Sequence, residues 1–241
     1  IIMMKLKTIF FPGWAMPPEI KLCNNLFPEE LKPVNIVDYG FFNPDIRFNF
    51  NNVENEILKF AQQEYDIVVG YSLGSQFALR LSLMMSPLPK AIIIISGFAK
   101  FTESNDNPNG QKIFALNAMI TAMKIRPAQV LRDFYQLNFG DLKGLLFNKS
   151  FIPTPSKMIE GLKFLLTCDF RSEVKKIKTP SLILAGSNDT VVKPSVTEEL
   201  AKYLEKSKYI LIEDVGHSLP FSKDNEIRIL IHDFLKEQNI I

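Results

Sequence analysis

Six short apolar runs recur along the chain, at residues 6–11, 34–38, 66–70, 91–96, 181–186 and 209–213. Each is closed off by turn-forming residues, and together they are rich in Ile and Val and do not follow a strict polar–apolar alternation. A strand buried on only one face alternates; a strand covered on both faces does not. Between most of the runs, apolar residues recur at helical spacing, at 53–63, 75–85, 196–207 and 225–236. Strand and helix in alternation build βαβ units. The pattern therefore predicts an α/β fold with a doubly wound, mostly parallel sheet of about six strands.

One interval breaks the alternation. From about 98 to 177 no segment reads as a strand. Instead Phe114, Leu116, Met119, Ile120, Met123 and Ile125, then Val130, Leu131, Phe134, Tyr135 and Leu137, mark amphipathic stretches broken by Pro127, Gly140, Gly144 and Pro153. Such breaks fit about four short helices. The expected organisation is a core of residues 1–100 and 166–241 with a helical cap inserted at 101–165. A second domain packed elsewhere is the alternative.

Composition narrows the function classes. The chain is 46% apolar and 22% charged, as ordinary globular proteins are, and its formal net charge is only +2. A whole-molecule binder of nucleic acid needs more positive charge than that. The two cysteines, Cys23 and Cys168, have no metal-type spacing and form no disulfide framework. No run approaches the ~20 apolar residues that span a bilayer, and the N-terminal apolar stretch is too short for a signal sequence. The expectation is a cytoplasmic protein with no metal and no cofactor.

Candidate chemistry centres on Gly70-Tyr71-Ser72-Leu73-Gly74, a G-x-S-x-G between the run at 66–70 and the helical pattern from 75. A serine on a sharp strand-to-helix turn stands clear of the sheet, and glycines let the turn close. A hydroxyl attacks only when a base takes its proton. Of the two histidines, His217 follows the last strand run, whereas His232 sits inside a helical pattern. The carboxyl edge of a parallel sheet is where ligands bind, so His217 is the expected base. Asp189, after the run at 181–186, is the expected orienting acid; Asp169 precedes that run and is expected to pair with Arg171. The amides of Leu73 and Trp14 are the expected oxyanion donors. A serine among ordinary turn residues and a tryptophan that merely packs are the structural alternatives.

These residues in this order resemble the α/β-hydrolase superfamily over nearly the whole chain. Three stretches resemble the biotin-pathway pimeloyl-acyl-carrier-protein methyl ester carboxylesterases: Gly13-Trp14 after the first strand, Gly161 to Arg171, and Gly216-His217-Ser218-Leu219-Pro220-Phe221-Ser222. Pro12-Gly13 replaces the usual His-Gly before the oxyanion loop. The resemblance implies a serine carboxylesterase whose acyl ester is borne on an acidic acyl carrier protein; a general short-chain esterase or thioesterase, or a hydrolase-fold binding protein, are the alternatives. Charge placement agrees with a carrier. Between Gln111 and Leu165 eight Lys or Arg face three Asp or Glu, an excess of five positive charges, which would steer an acidic partner. An ordinary solvated face is the other reading. Lys124, Arg126, Arg132 and Phe134 are the expected substrate or carrier contacts, and Phe114, Tyr135, Phe139 and Phe147 are candidates to line an acyl channel.

Overall fold

Strands β1 (Thr8–Phe11), β2 (Val34–Ile36), β3 (Ile67–Tyr71), β4 (Ala91–Ile95), β5 (Ser181–Gly186) and β6 (Ser207–Ile212) form one sheet in the order β2-β1-β3-β4-β5-β6. Every pairing is parallel. The computed structural model describes residues 5–17, 23–140 and 153–241, and the side chains of Cys23 and Asn24 fall outside that description. All of β1, β3, β4 and β5 is buried, which is why their sequences are near-continuous Ile, Val and Leu. The edge strand β6 is half-exposed and tolerates Lys208.

Helices cover the sheet. Among the described residues they are α1 (Cys23–Leu26), α2 (Val53–Ala61), α3 (Leu73–Met84), α4 (Ile113–Ile125), α5 (Pro127–Phe139), α6 (Pro155–Thr167), α7 (Arg171–Val174), α8 (Pro194–Tyr203), α9 (Leu219–Ser222) and α10 (Asp224–Glu237). Helix α3 lies on β1, β3 and β4 with α2 beside it, α8 packs on β5 and β6, and α1 packs on α10. Helices α5, α6 and α8 each open on a proline, whose missing N–H is no loss in the first turn. The helical pattern read at 196–207 overshoots. The chain leaves α8 at Tyr203, turns extended at Leu204, and Ser207 already pairs with Ser181; the polar Lys206-Ser207-Lys208 hid the start of an exposed edge strand.

The order matters for function. The chain passes from β1 outward to β2, then returns to place β3 on the other flank of β1. Where the order reverses, the loops leaving β1 and β3 diverge and open a crevice at the strands' carboxyl ends. Ser72 follows β3 directly, and Gly13 follows β1 by two residues.

Between β4 and β5 the described residues contain no strand of the sheet; α4, α5 and α6 fill the interval, with α4 packed on both others. Lys143, Lys149, Asp141 and Phe147 lie outside the described residues. Helices α5 and α6 are bonded to loops of the sheet. Trp14 Nε1 donates to the Met158 carbonyl at 2.9 Å, the Tyr135 hydroxyl donates to the Ala15 carbonyl, and the Thr154 amide donates to the Phe41 carbonyl at 2.8 Å. Aromatic rings continue the contact: Tyr39, Phe48 and Phe50 pack on Phe77 of α3, and Phe77 stacks on Phe164 of α6 at 5.3 Å.

Cys168, just after α6, is buried. Burial pushes its thiol up to about 12, although the nearby Arg80 charge pulls the other way. Thiolate is the reactive form, so at pH 8 Cys168 should resist iodoacetamide in the folded protein and react after denaturation, as read by peptide mass spectrometry. Prompt alkylation of the native protein at Cys168 would contradict this burial.

Candidate active site

Ser72 sits between β3 and α3 with φ 52° and ψ −122°. That left-handed conformation strains any residue with a Cβ and is kept only where its surroundings over-determine it. The Ser72 amide donates to the Ile95 carbonyl and the Ser72 carbonyl accepts from the Ser75 amide, which clamps the turn on both sides. Clearance does the rest. A Cβ on Gly74 would stand 1.9 Å from the Phe11 carbonyl oxygen, and one on Gly70 would stand 2.7 Å from Ser75 Cα. Serine at a helix N-cap usually turns its hydroxyl onto the helix. Here the side chain makes no capping bond.

The hydroxyl is engaged elsewhere. Ser72 Oγ lies 3.0 Å from His217 Nε2, and His217 Nδ1 lies 2.8 Å from Asp189 Oδ2. An ionised carboxylate only accepts, so Nδ1 carries the ring proton and Nε2 is free to accept from Ser72. All three side chains are buried. Burial by itself raises the Asp189 carboxyl, but His217, the Val192 amide and the surrounding donors outweigh it and hold the group below the usual carboxylate range. Its second oxygen accepts from the Val191 and Val192 amides, both at 2.9 Å.

Two residues absent from the sequence reading hold this row of groups in place. Tyr71 donates its hydroxyl to the His217 carbonyl at 2.5 Å, and its ring lies 5.2 Å from the imidazole. Gln111 donates its amide nitrogen to the Thr190 and Val191 carbonyls at 2.6 and 2.8 Å, so the segment entering α4 is bonded to the loop carrying Asp189. Neither had a signal in the sequence: Tyr71 is a free position of the serine motif, and Gln111 lies in a polar run from Glu103 to Lys112 in which nothing sets it apart.

Backbone N–H groups surround the serine. Leu73 opens α3, where amides lack an intrahelical acceptor and the helix dipole favours negative charge. Gly13 brings the loop after β1 against the serine: a Cβ there would stand 3.4 Å from Ser72 Cβ and 3.0 Å from the Tyr71 ring. Trp14 follows, buried. Among the described residues neither the Leu73 nor the Trp14 amide has a protein acceptor.

A cavity of about 290 Å³ opens on Ser72 and His217. Its walls come from the β1 loop (Trp14), α4 (Leu116, Met119), α5 (Phe134, Leu137) and α6 (Leu162, Leu165). Phe134 meets Trp14 edge to face at 5.0 Å. Of the other aromatics expected in a channel, Phe114, Tyr135 and Phe139 do not line it, and Phe147 lies outside the described residues. Phe114 is 72% exposed on α4, and Tyr135 and Phe139 are buried in packing behind the wall; helical spacing cannot separate a lining position from a core position one turn away. Lys124, Arg126 and Arg132 stand exposed on α4 and α5 and none lines the cavity. Asp169 forms its ion pair with Arg171 at 2.7 Å, and His232 lies on α10, away from the serine. Among the described residues, no group of three His, Cys, Asp or Glu is placed to hold a metal ion, and no helix is long and apolar enough to cross a membrane.

A parallel sheet whose third strand ends on a strained serine, beside a histidine and a buried carboxylate, defines an α/β-hydrolase. The pattern describing the serine hydrolase (FSH1) family matches residues 49–229, three quarters of the chain. The protein belongs to that family. Among similar proteins are two pimeloyl-acyl-carrier-protein methyl ester esterases. That of Neisseria meningitidis serogroup C is 27% identical over 176 residues, covering 70% of this chain and 69% of that protein. That of Wigglesworthia glossinidia brevipalpis is 26% identical over 247 residues, covering 96% and 94%. In solved structures the same fold recurs in an esterase from Exiguobacterium antarcticum, with a TM-score of 0.81, 18% identity and coverage of 97% and 93%.

The carboxylate's ionisation generates a stability prediction. A carboxyl with a depressed folded value stabilises the fold above the ordinary carboxylate range of about 4, and loses that contribution as pH falls through its folded value. Asp189→Asn should therefore lower stability at pH 7 by on the order of 2 kcal/mol, a charged hydrogen bond's worth. The gap from wild type should narrow below pH 4. Urea unfolding midpoints across pH 3–7 would show it, and a gap that widens on acidification would contradict it.

Proposed function

We propose that the protein is a serine carboxylesterase that hydrolyses the methyl ester of pimeloyl-acyl-carrier protein, with Ser72 as nucleophile, His217 as base and Asp189 as orienting acid. The observation that carries this reading is the hydrogen-bonded row Asp189–His217–Ser72 opening onto an apolar cavity. The names of the relatives support the substrate.

Each group then has one task. Ser72 Oγ attacks the ester carbonyl carbon as its proton passes to His217 Nε2. Negative charge develops on the former carbonyl oxygen, where the Leu73 and Trp14 amides donate to it. His217 returns the proton to the departing methoxide, methanol leaves, and the acyl group remains on Ser72. Water repeats the sequence, giving the free carboxylic acid and the original serine. Asp189 keeps Nδ1 protonated and offsets the imidazolium charge. Helices α4, α5 and α6 act as a cap that shields this chemistry from water. The cavity, about 290 Å³ and lined mainly by apolar side chains, suits a short acyl chain lying between the serine and the mouth. A cytoplasmic setting fits the free Cys168 thiol.

Carrier docking assigns a role to Lys124, Arg126 and Arg132 outside the cavity: drawing an acidic carrier to the cap. The excess of positive charge in this segment supports it.

These roles have measurable consequences. A fluorophosphonate should label the protein once, at Ser72, and Ser72→Ala should abolish labelling. His217→Ala should lower kcat about 10⁴-fold or more with the fold intact by circular dichroism, whereas His232→Ala should leave kcat near wild type. Labelling that survives Ser72→Ala would refute the nucleophile. Separately, reversing Arg126 and Arg132 to Glu should reduce kcat/KM for the carrier-borne ester about tenfold or more at low salt. That loss should shrink as added salt shortens the Debye length toward ~8 Å, while p-nitrophenyl acetate hydrolysis stays unchanged. Equal losses on both substrates would instead mean a deformed cap.

A further inference from the structure

The polar atoms on the cavity wall are arranged in a way that ester cleavage itself does not use. The indole N–H of Trp14 is committed to the Met158 carbonyl. Asn138 lines the cavity from α5, is only 9% exposed, and donates its amide nitrogen to the Phe134 carbonyl at 2.8 Å. Gln111, also on the wall, has its nitrogen on the Thr190 and Val191 carbonyls. In both amides a backbone carbonyl holds the nitrogen. The remaining polar atom of each is therefore its oxygen, which can only accept. Among the described residues neither oxygen has a protein donor. Thr190 adds a hydroxyl at the exposed rim, and no Lys, Arg, Asp or Glu is among the described residues of the wall.

We infer that this cavity selects esters whose far end is uncharged and carries a hydrogen-bond donor, read by Asn138 Oδ1 and Gln111 Oε1, and that it rejects esters ending in a free carboxylate. The inference rests on the ester-hydrolase reading and adds the chemistry of the substrate's other end. A carboxylate entering here gives up its hydration, finds no counter-charge, and meets two oxygens that repel it. A secondary amide N–H, such as the prosthetic arm of an acyl carrier supplies, pairs with an acceptor that would otherwise lose its water. A site that hydrogen-bonds its substrate discriminates against analogues lacking the group, because its own polar atom is then left unpaired.

Both the selected and the rejected class can be presented on one chain length. Three methyl esters of the same seven-carbon chain would be compared, with a free carboxylate, a second methyl ester or an N-methylamide at the far end. Wild-type enzyme should turn over the amide about tenfold better than the diester in kcat/KM. The carboxylate should fall about 100-fold or more below the diester. Asn138→Leu should bring the amide-to-diester ratio toward one; a general loss of folding would lower both values and leave their ratio unchanged. A carboxylate within threefold of the diester, or an amide with no advantage in wild type, overturns the inference, and the wild-type comparison needs no variant to fold. If the carrier-borne ester is still hydrolysed in that case, the ester-hydrolase reading stands without it. If Ser72 is unlabelled and no ester is cleaved, both fall together.

Discussion

The rest of the molecule depends on how closely α3 approaches β1 at Gly74. Only a residue without a side chain lets helix backbone come that near the Phe11 carbonyl, and this contact sets how sharply the chain turns after β3. The sharp turn forces Ser72 to positive φ, keeps its hydroxyl from capping the helix, and leaves the Leu73 amide without a protein acceptor among the described residues. The uncapped Ser72 hydroxyl, the Leu73 amide and the helix dipole thus share one origin. Their position also follows from strand order, because β1 and β3 flank the point where the sheet reverses direction.

Around that turn the protein separates two environments. On the sheet side the imidazole is held by polar partners: Asp189 on one nitrogen, Ser72 on the other, and the Tyr71 hydroxyl on its backbone. On the other side α4, α5 and α6 line the cavity mainly with carbon, Phe134, Leu162 and Leu165 included, with Asn138 the polar exception on these helices among the described residues. Hydrogen bonds among buried groups gain strength where water is excluded, so the apolar wall reinforces the Asp189–His217–Ser72 row. Gln111 belongs to both, lining the cavity while holding the loop of the acid.

The sheet and the row of reactive groups were legible in the sequence because each left a strong local mark. A run such as Ala91 to Ile95 admits no exposed face, the serine motif lies between a strand and a helix, and only His217 of the two histidines follows a strand. Boundaries were less legible: β6 begins in polar residues because an edge strand buries only part of itself. The described part of the segment between β4 and β5 was legible as helices but not as faces. Phe114 and Phe134 look alike in a helical pattern, yet one is exposed and the other forms the cavity wall. Nor do Tyr71 and Gln111 announce themselves, since their roles come from carbonyls brought to them from His217, Thr190 and Val191 only when the sheet closes.

The hydrogen bond between Ser72 and His217 joins residues 145 positions apart, and the one between His217 and Asp189 joins residues 28 apart. During synthesis the serine turn and the four strands around it leave the ribosome long before the loop bearing the histidine. Until β6 has docked on β5, the growing polypeptide carries a strained serine with no base beside it, and that hydroxyl stays inert. The Ser72–His217 hydrogen bond can therefore form only once the loop after the last strand has arrived.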